Sequence, residues 1–93
     1  MERAEQRKKV LSRLKSIEGH IRGIERMVED DVYCIDIMKQ TLAVQKALDK
    51  VNSLIMHNHL NECVTNVIKG NDVRQRQQVI GEIVDVFEMS HKV

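Results

Sequence analysis

Apolar residues recur with helical spacing along almost the whole chain. Val10, Leu14, Ile17, Ile21, Ile24 and Val28 follow one another at alternating steps of four and three. That heptad rhythm predicts a first helix with a narrow apolar seam. At about 100° per residue, Lys8, Lys15, Arg22 and Arg26 fall roughly opposite the seam, and Lys9, Arg13 and His20 lie along one flank. Gly19 and Gly23 lower helix propensity, and the expectation is that they mark close packing. The helix is expected to end near Glu29-Asp30-Asp31, with Asp30 or Asp31 as N-cap of the next one. So short a connection predicts an antiparallel helical hairpin.

A second helix is expected from about Val32 to Lys69, because no Gly or Pro interrupts that stretch. Its apolar positions include Ile37, Val44, Leu48, Val51 and Ile55, then Leu60, Val64, Val67 and Ile68. Gly70 supplies a stop signal, and Asn71 or Asp72 a cap for a short third helix. Ile80, Ile83, Val84 and Phe87 give that helix one apolar face. The fold class read from this pattern is all-α, a long hairpin plus a short C-terminal helix, in a single domain over residues 1–93.

Composition narrows the picture. There is no proline, and only Tyr33 and Phe87 are aromatic. A single-strand binder that stacks bases needs more aromatic platforms than that. At 93 residues the core is small, so oligomerisation is expected. No apolar run is long enough for a membrane span, and the charged start MERAEQRKKV does not read as a secretory signal, so the expected compartment is the cytoplasm. The net charge of +1 hides an asymmetry: residues 1–26 carry eight Lys/Arg against four Glu. The basic first helix points to a polyanionic partner.

The candidate chemistry lies in H-N-H-L-N-E-C, residues 57–63. His59 and Cys63 are four apart and differ by about 40° around a helix, so both can reach one ion. His57 lies about 200° from His59 and faces away. A third ligand is needed, and the only other thiol is Cys34. Along one helix, 25 residues of separation amount to roughly 37 Å. Two copies of helix 2 packed antiparallel near Ala47 and Leu48 would bring Cys34 of one chain to His59 and Cys63 of the other. Such a two-fold arrangement makes two sites and completes a dimeric four-helix bundle. Two thiolates and one imidazole are a soft set that favours Cu(I), whereas closed Zn(II) sites take four ligands. Nothing in the chain offers a nucleophile with a base and an oxyanion site, so an enzyme is not expected.

The stretches R-L-K-S-I-E-G-H-I-R-G-I at 13–24, V-Y-C-I-D-I-M-K-Q at 32–40 and H-N-H-L-N-E-C at 57–63 resemble the copper-sensing repressors of the CsoR/RcnR/FrmR family, over roughly residues 5–88. The resemblance implies a dimer with an antiparallel four-helix core and a flat tetramer made of two dimers. It implies a Cu(I) site between protomers at Cys34, His59 and Cys63, and an apo form that binds double-stranded operator DNA of copper-homeostasis genes until Cu(I) releases it. It further implies a coupling pair, Tyr33 and Glu82, and DNA contacts at Arg13 and Lys50, with Lys8, Lys9 and Lys15 as further phosphate contacts. Lys50 stands where the family often has Arg, which exchanges a bidentate fork for a point charge. Glu18 stands where many members are basic.

Relatives that sense other effectors differ at marked positions. Nickel or cobalt sensors add a histidine near the N-terminus, and residues 1–19 have none. Formaldehyde sensors use a proline beside the cysteine, and persulfide sensors lack the histidine retained here as His59. Copper is the effector expected. The alternatives are a persulfide- or oxidant-sensing repressor of the same fold, or a metal-storage or transfer protein. No membrane partner or organic cofactor is expected.

Overall fold

A computed structural model of the chain describes residues 3–90, apart from the side chains of Arg3 and Cys63. Its elements are α1 (Arg3–Glu29), α2 (Cys34–His59), a π-helical turn (Leu60–Val64), α3 (Thr65–Lys69) and α4 (Val73–Ser90). Among the described residues there is no strand. The chain forms two compact units, Met1–Met56 and His57–Val93.

The first unit holds the helical hairpin. Its core is Ile17 from α1 with Val44 and Val51 from α2, and Val10, Leu14, Ile24 and Ala47 pack against them. The pairing is antiparallel: His20 of α1 bonds Gln40 of α2, while Ile17, one turn earlier, packs with Val44, one turn later. Only part of the predicted seam is covered. Ile21 and Val28 remain exposed, the latter at 60%. A Cβ on Gly19 would meet nothing within 4 Å, and one on Gly23 only the tip of Arg26 at 4.0 Å. Neither glycine marks close packing within this chain, contrary to the expectation. Charge placement suits the helix: Glu5 sits in the first turn of α1 and Arg26 in the last, each complementing the dipole.

The turn between the helices also departs from the sequence expectation. Neither Asp30 nor Asp31 caps α2. They end α1 instead. Asp31 N–H donates to the Val28 carbonyl at 3.1 Å and Val32 N–H to the Met27 carbonyl at 3.0 Å, the paired bonds of a Schellman ending. Asp31 takes the left-handed position with φ of 56°, where Gly is the usual residue. The reason is geometric: these bonds need Asp31 to satisfy the end of α1, so α2 starts later, at Cys34.

In the second unit the expected long helix does reach Lys69, but not as uniform α-helix. Leu60–Val64 is π-helical. The Thr65 N–H and the Thr65 hydroxyl both donate to the Leu60 carbonyl, the hydroxyl at 2.6 Å. An i to i+5 bond defines a π turn, and the hydroxyl adds a second donor to the same oxygen. Val64, in that turn, is 2% exposed and buried. Gly70 then ends α3 in an extended conformation, donating to the Asn66 and Val67 carbonyls. Asp72 caps α4 through its carboxylate, which accepts from Gln75 N–H at 3.1 Å. No helix among the described residues is long and apolar enough to cross a membrane.

Candidate metal centre and basic groove

Cys34 is the first residue of α2 and its thiol is free and exposed. The residue before it, Tyr33, anchors the start of the helix: its carbonyl accepts from Asp36 N–H at 3.0 Å and Ile37 N–H at 3.2 Å. The Tyr33 side chain is 67% exposed. His59 is the last residue of α2 and is half-buried. Cys63 belongs to the π turn, and its side chain lies outside the described residues. Glu82 is exposed on α4. Among the described residues, no three His, Cys, Asp or Glu side chains come together as a metal site.

His57 is occupied elsewhere. The Asn61 Nδ2 donates to its Nε2 at 3.1 Å on an exposed face. The lone pair of that nitrogen is therefore committed to an amide. Glu62 is half-buried, and its carbonyl accepts from Asn66 Nδ2 at 2.8 Å. These bonds tie the segment to its own helical surface.

The π turn bears directly on the two-ligand segment. It begins immediately after His59 and contains Cys63. Angular steps counted as α-helical therefore do not apply across this segment. Wider turns of this kind recur at functional sites, where they re-aim side chains. Sequence reasoning missed this turn. The one signal was Thr65, five residues after Leu60, with a hydroxyl able to bond backward.

The second candidate surface is a groove of about 450 Å³ between α1 and α2, all within the first unit. Arg13, Ser16 and His20 line it from α1, Lys46 and Lys50 from α2, over a floor of Ile17 and Ala47. Arg13 and Lys50, both expected at the DNA interface, thus share one groove. Lys8 and Lys15 line a shallower depression on α1 that shares Ser12 and Ser16 with the groove. Lys9 is exposed but lines neither. Lys46 and His20 were not among the expected contacts. For Lys46 the signal was its position one turn before Lys50. For His20 it was a place on the Arg13 flank of helix 1.

Residues 6–89 match the model of the metal-sensitive transcriptional repressors. The chain belongs to this metal-sensitive repressor family. The family consists of transcriptional repressors rather than enzymes. The copper-sensing transcriptional repressor CsoR of Mycobacterium bovis is 43% identical over 81 residues, covering 86% of this chain and 65% of the relative. The chain thus spans slightly less than two thirds of the length of that relative. Among solved structures, the copper-sensing repressor CsoR with Cu(I) from Geobacillus thermodenitrificans superposes with a TM-score of 0.85 at 37% identity, over 99% of this chain and 93% of that one. The nickel-responsive transcriptional regulator InrS superposes with a TM-score of 0.75 at 39% identity, over 86% and 90%. Within this repressor fold, then, relatives of nearly equal identity respond to different metals. The choice of metal has to be argued from ligands, not from the backbone.

Proposed function

We propose that this chain is a Cu(I)-responsive transcriptional repressor of the cytoplasm. Its apo form binds operator DNA of copper-homeostasis genes, and Cu(I) at an intersubunit Cys34–His59–Cys63 site releases it. The supporting observation is the exposed seam on α2. Cys34, Met38, Thr41, Gln45, Leu48, Asn52, Ile55 and His59 alternate at steps of four and three from one end of the helix to the other. Met38, Leu48 and Ile55 are exposed on it, whereas Val44 and Val51 are buried in the hairpin core. From either end the seam runs ligand, apolar, polar, and its central pair is Gln45 with Leu48. A two-fold antiparallel pairing would put Met38 against Ile55 of the partner subunit and Cys34 against His59 of the partner subunit. Burying the seam supplies apolar contact that a chain with so small a core lacks. Two such dimers form the tetramer.

The donor set fits a soft monovalent ion. Two thiolates and one imidazole complete a three-ligand shell for Cu(I). Nickel(II), with its square-planar or tetragonal N and O preferences, suits this donor set less well. Tyr33 precedes the Cys34 ligand, and together with Glu82 on α4 it would link occupancy of the site to helix movement. Arg13, Lys50, Lys8, Lys9 and Lys15 supply phosphate contacts.

The test is an anaerobic titration with Cu(I), and in parallel with Ni(II), followed by absorption and by a gel shift on DNA upstream of the gene encoding this chain. The apo protein should shift the DNA, and one Cu(I) per protomer should abolish the shift while Ni(II) does not. Equal binding with and without Cu(I) refutes the copper reading. Release by a polysulfide but not by Cu(I) would replace it with persulfide sensing at the exposed Cys34 thiol.

A further inference from the structure

Three polar residues, Thr41, Gln45 and Asn52, share the seam of α2 with the exposed Met38, Leu48 and Ile55. Polar residues inside such a seam cost stability and fix how two helices meet. Periodicity alone does not choose the orientation here. In a parallel pair every seam residue meets the same residue of the partner. In an antiparallel pair Met38 meets the partner's Ile55. Both arrangements set apolar residues against apolar ones at those positions. The choice lies in one hydrogen bond. The Thr41 hydroxyl donates to the Met38 carbonyl at 2.9 Å. Its proton is committed, and Oγ1 is left as an acceptor. Parallel helices would set two such acceptors face to face with no donor between them.

Antiparallel helices that bring Cys34 to the partner's His59 advance by the same steps of four, three and four from either end. They reach Thr41 opposite the partner's Asn52, then Gln45 opposite the partner's Leu48. An asparagine side chain offers both chemistries. Its Nδ2 donates, which suits the Thr41 oxygen. Its Oδ1 accepts, and Gln45, one turn beyond Thr41 on the same face, carries an amide donor on a side chain long enough to reach it. We propose that Thr41 and Gln45 together clasp the partner's Asn52 in a hydrogen-bonded layer that sets the orientation and register of the dimer, and so decides that Cys34 meets the partner's His59. The two-fold axis repeats the layer on the other side of the centre. Other registers lose it. A slip of seven residues one way sets Gln45 against the partner's Ile55 and Asn52 against the partner's Leu48, so amides face hydrocarbon. The same slip the other way leaves Ile55 and His59 without a seam residue opposite them.

This inference rests on the intersubunit reading of the metal site, and disulfide mapping separates the two. The full-length apo protein is oxidised with diamide, covalent dimers are isolated on a non-reducing gel, and the linked peptides are identified by mass spectrometry. Self-association is followed by sedimentation. Wild type should link Cys34 to the partner's Cys63. Thr41→Val keeps the shape but removes the acceptor, which leaves the Asn52 donor unsatisfied and should weaken the dimer about tenfold. Thr41→Ser keeps the oxygen and should behave as wild type. Asn52→Leu should still dimerise, yet about half of its links should join Cys34 to the partner's Cys34, because a more uniformly apolar seam no longer prefers one orientation. Its Cu(I) capacity should fall by the same share. Circular dichroism of each variant checks that the helices persist. If wild type gives no link from Cys34 to the partner's Cys63, the intersubunit site fails and takes this inference with it. If wild type gives that link and Asn52→Leu keeps it undiminished, or Thr41→Val dimerises as tightly as wild type, the site stands and the polar layer does not orient the dimer.

Discussion

Individual residues divide here by what already engages them. His57 and His59 are two positions apart, yet the His57 ring accepts from Asn61 on an exposed face, while His59 closes α2 half-buried with the π turn after it. His59→Ala should weaken Cu(I) binding and blunt release of DNA, by less than Cys34→Ala does, because a thiolate holds Cu(I) more strongly than an imidazole. His57→Ala should leave both unchanged. Competition for Cu(I) against a chromophoric chelator measures the difference, and equal losses from both histidines would contradict the ligand assignment. Asp31 presents a separate residue-scale case. It holds φ of 56° to let the Val28 and Met27 carbonyls be satisfied. The left-handed conformation costs an L-residue about 1–2 kcal/mol, while Gly adds roughly 0.5–1 kcal/mol of unfolded-state entropy. Asp31→Gly should therefore stabilise the protein by about 0.5–1 kcal/mol in urea unfolding, with DNA and Cu(I) responses intact. A destabilised variant would mean that the Asp31 carboxylate has a role beyond its backbone conformation.

At the scale of elements, the candidate ligands sit at the limits of α2 and in the turn that follows it. Cys34 starts it, His59 ends it and Cys63 lies in the turn. The helices themselves were legible because heptad spacing, the absence of proline and the glycine at position 70 are strong local signals. The junction of α1 with α2 was less so. Asp30 and Asp31 satisfy the sequence rule for an N-cap, but the same short polar side chains tolerate the left-handed ending of α1, and sequence gives no weight to choose between them. The π turn was hidden for a different reason: it depends on a backbone carbonyl taking two donors from one threonine, which no periodicity records. Thr65→Val keeps size and branching while removing the hydroxyl. It should cost about 0.5–1.5 kcal/mol, the ordinary net worth of one hydrogen bond. If the wide turn aims the ligands, it should also lower Cu(I) affinity while leaving apo DNA binding unchanged. Unfolding curves and Cu(I) competition read the two effects separately, and an affinity equal to wild type would show that the Thr65 hydroxyl has no part in the site.

For the whole molecule, the decisive question is whether the site closes within one chain or between two. A 26-residue α-helix is about 39 Å long, so its terminal residues cannot share an ion. The proposed pairing makes a sharper claim than dimerisation alone, because it states which ligand each chain gives. Cys34→Ala retains His59 and Cys63; Cys63→Ala retains Cys34 and His59. Neither homodimer has a complete site. A heterodimer of the two has one, since Cys34 from the second variant meets His59 and Cys63 from the first. Its other site has lost both thiols. If the variants are unfolded together in equal amounts and refolded, half of the dimers are mixed and each carries one of two sites, so Cu(I) capacity should return to about a quarter of wild type. Mixing without subunit exchange should return none. A ligand set drawn from a single chain gives no recovery in either case, because no chain in the mixture holds both cysteines. The amount recovered therefore reports the parentage of the ligands, and it does so without relying on the affinity of any one variant.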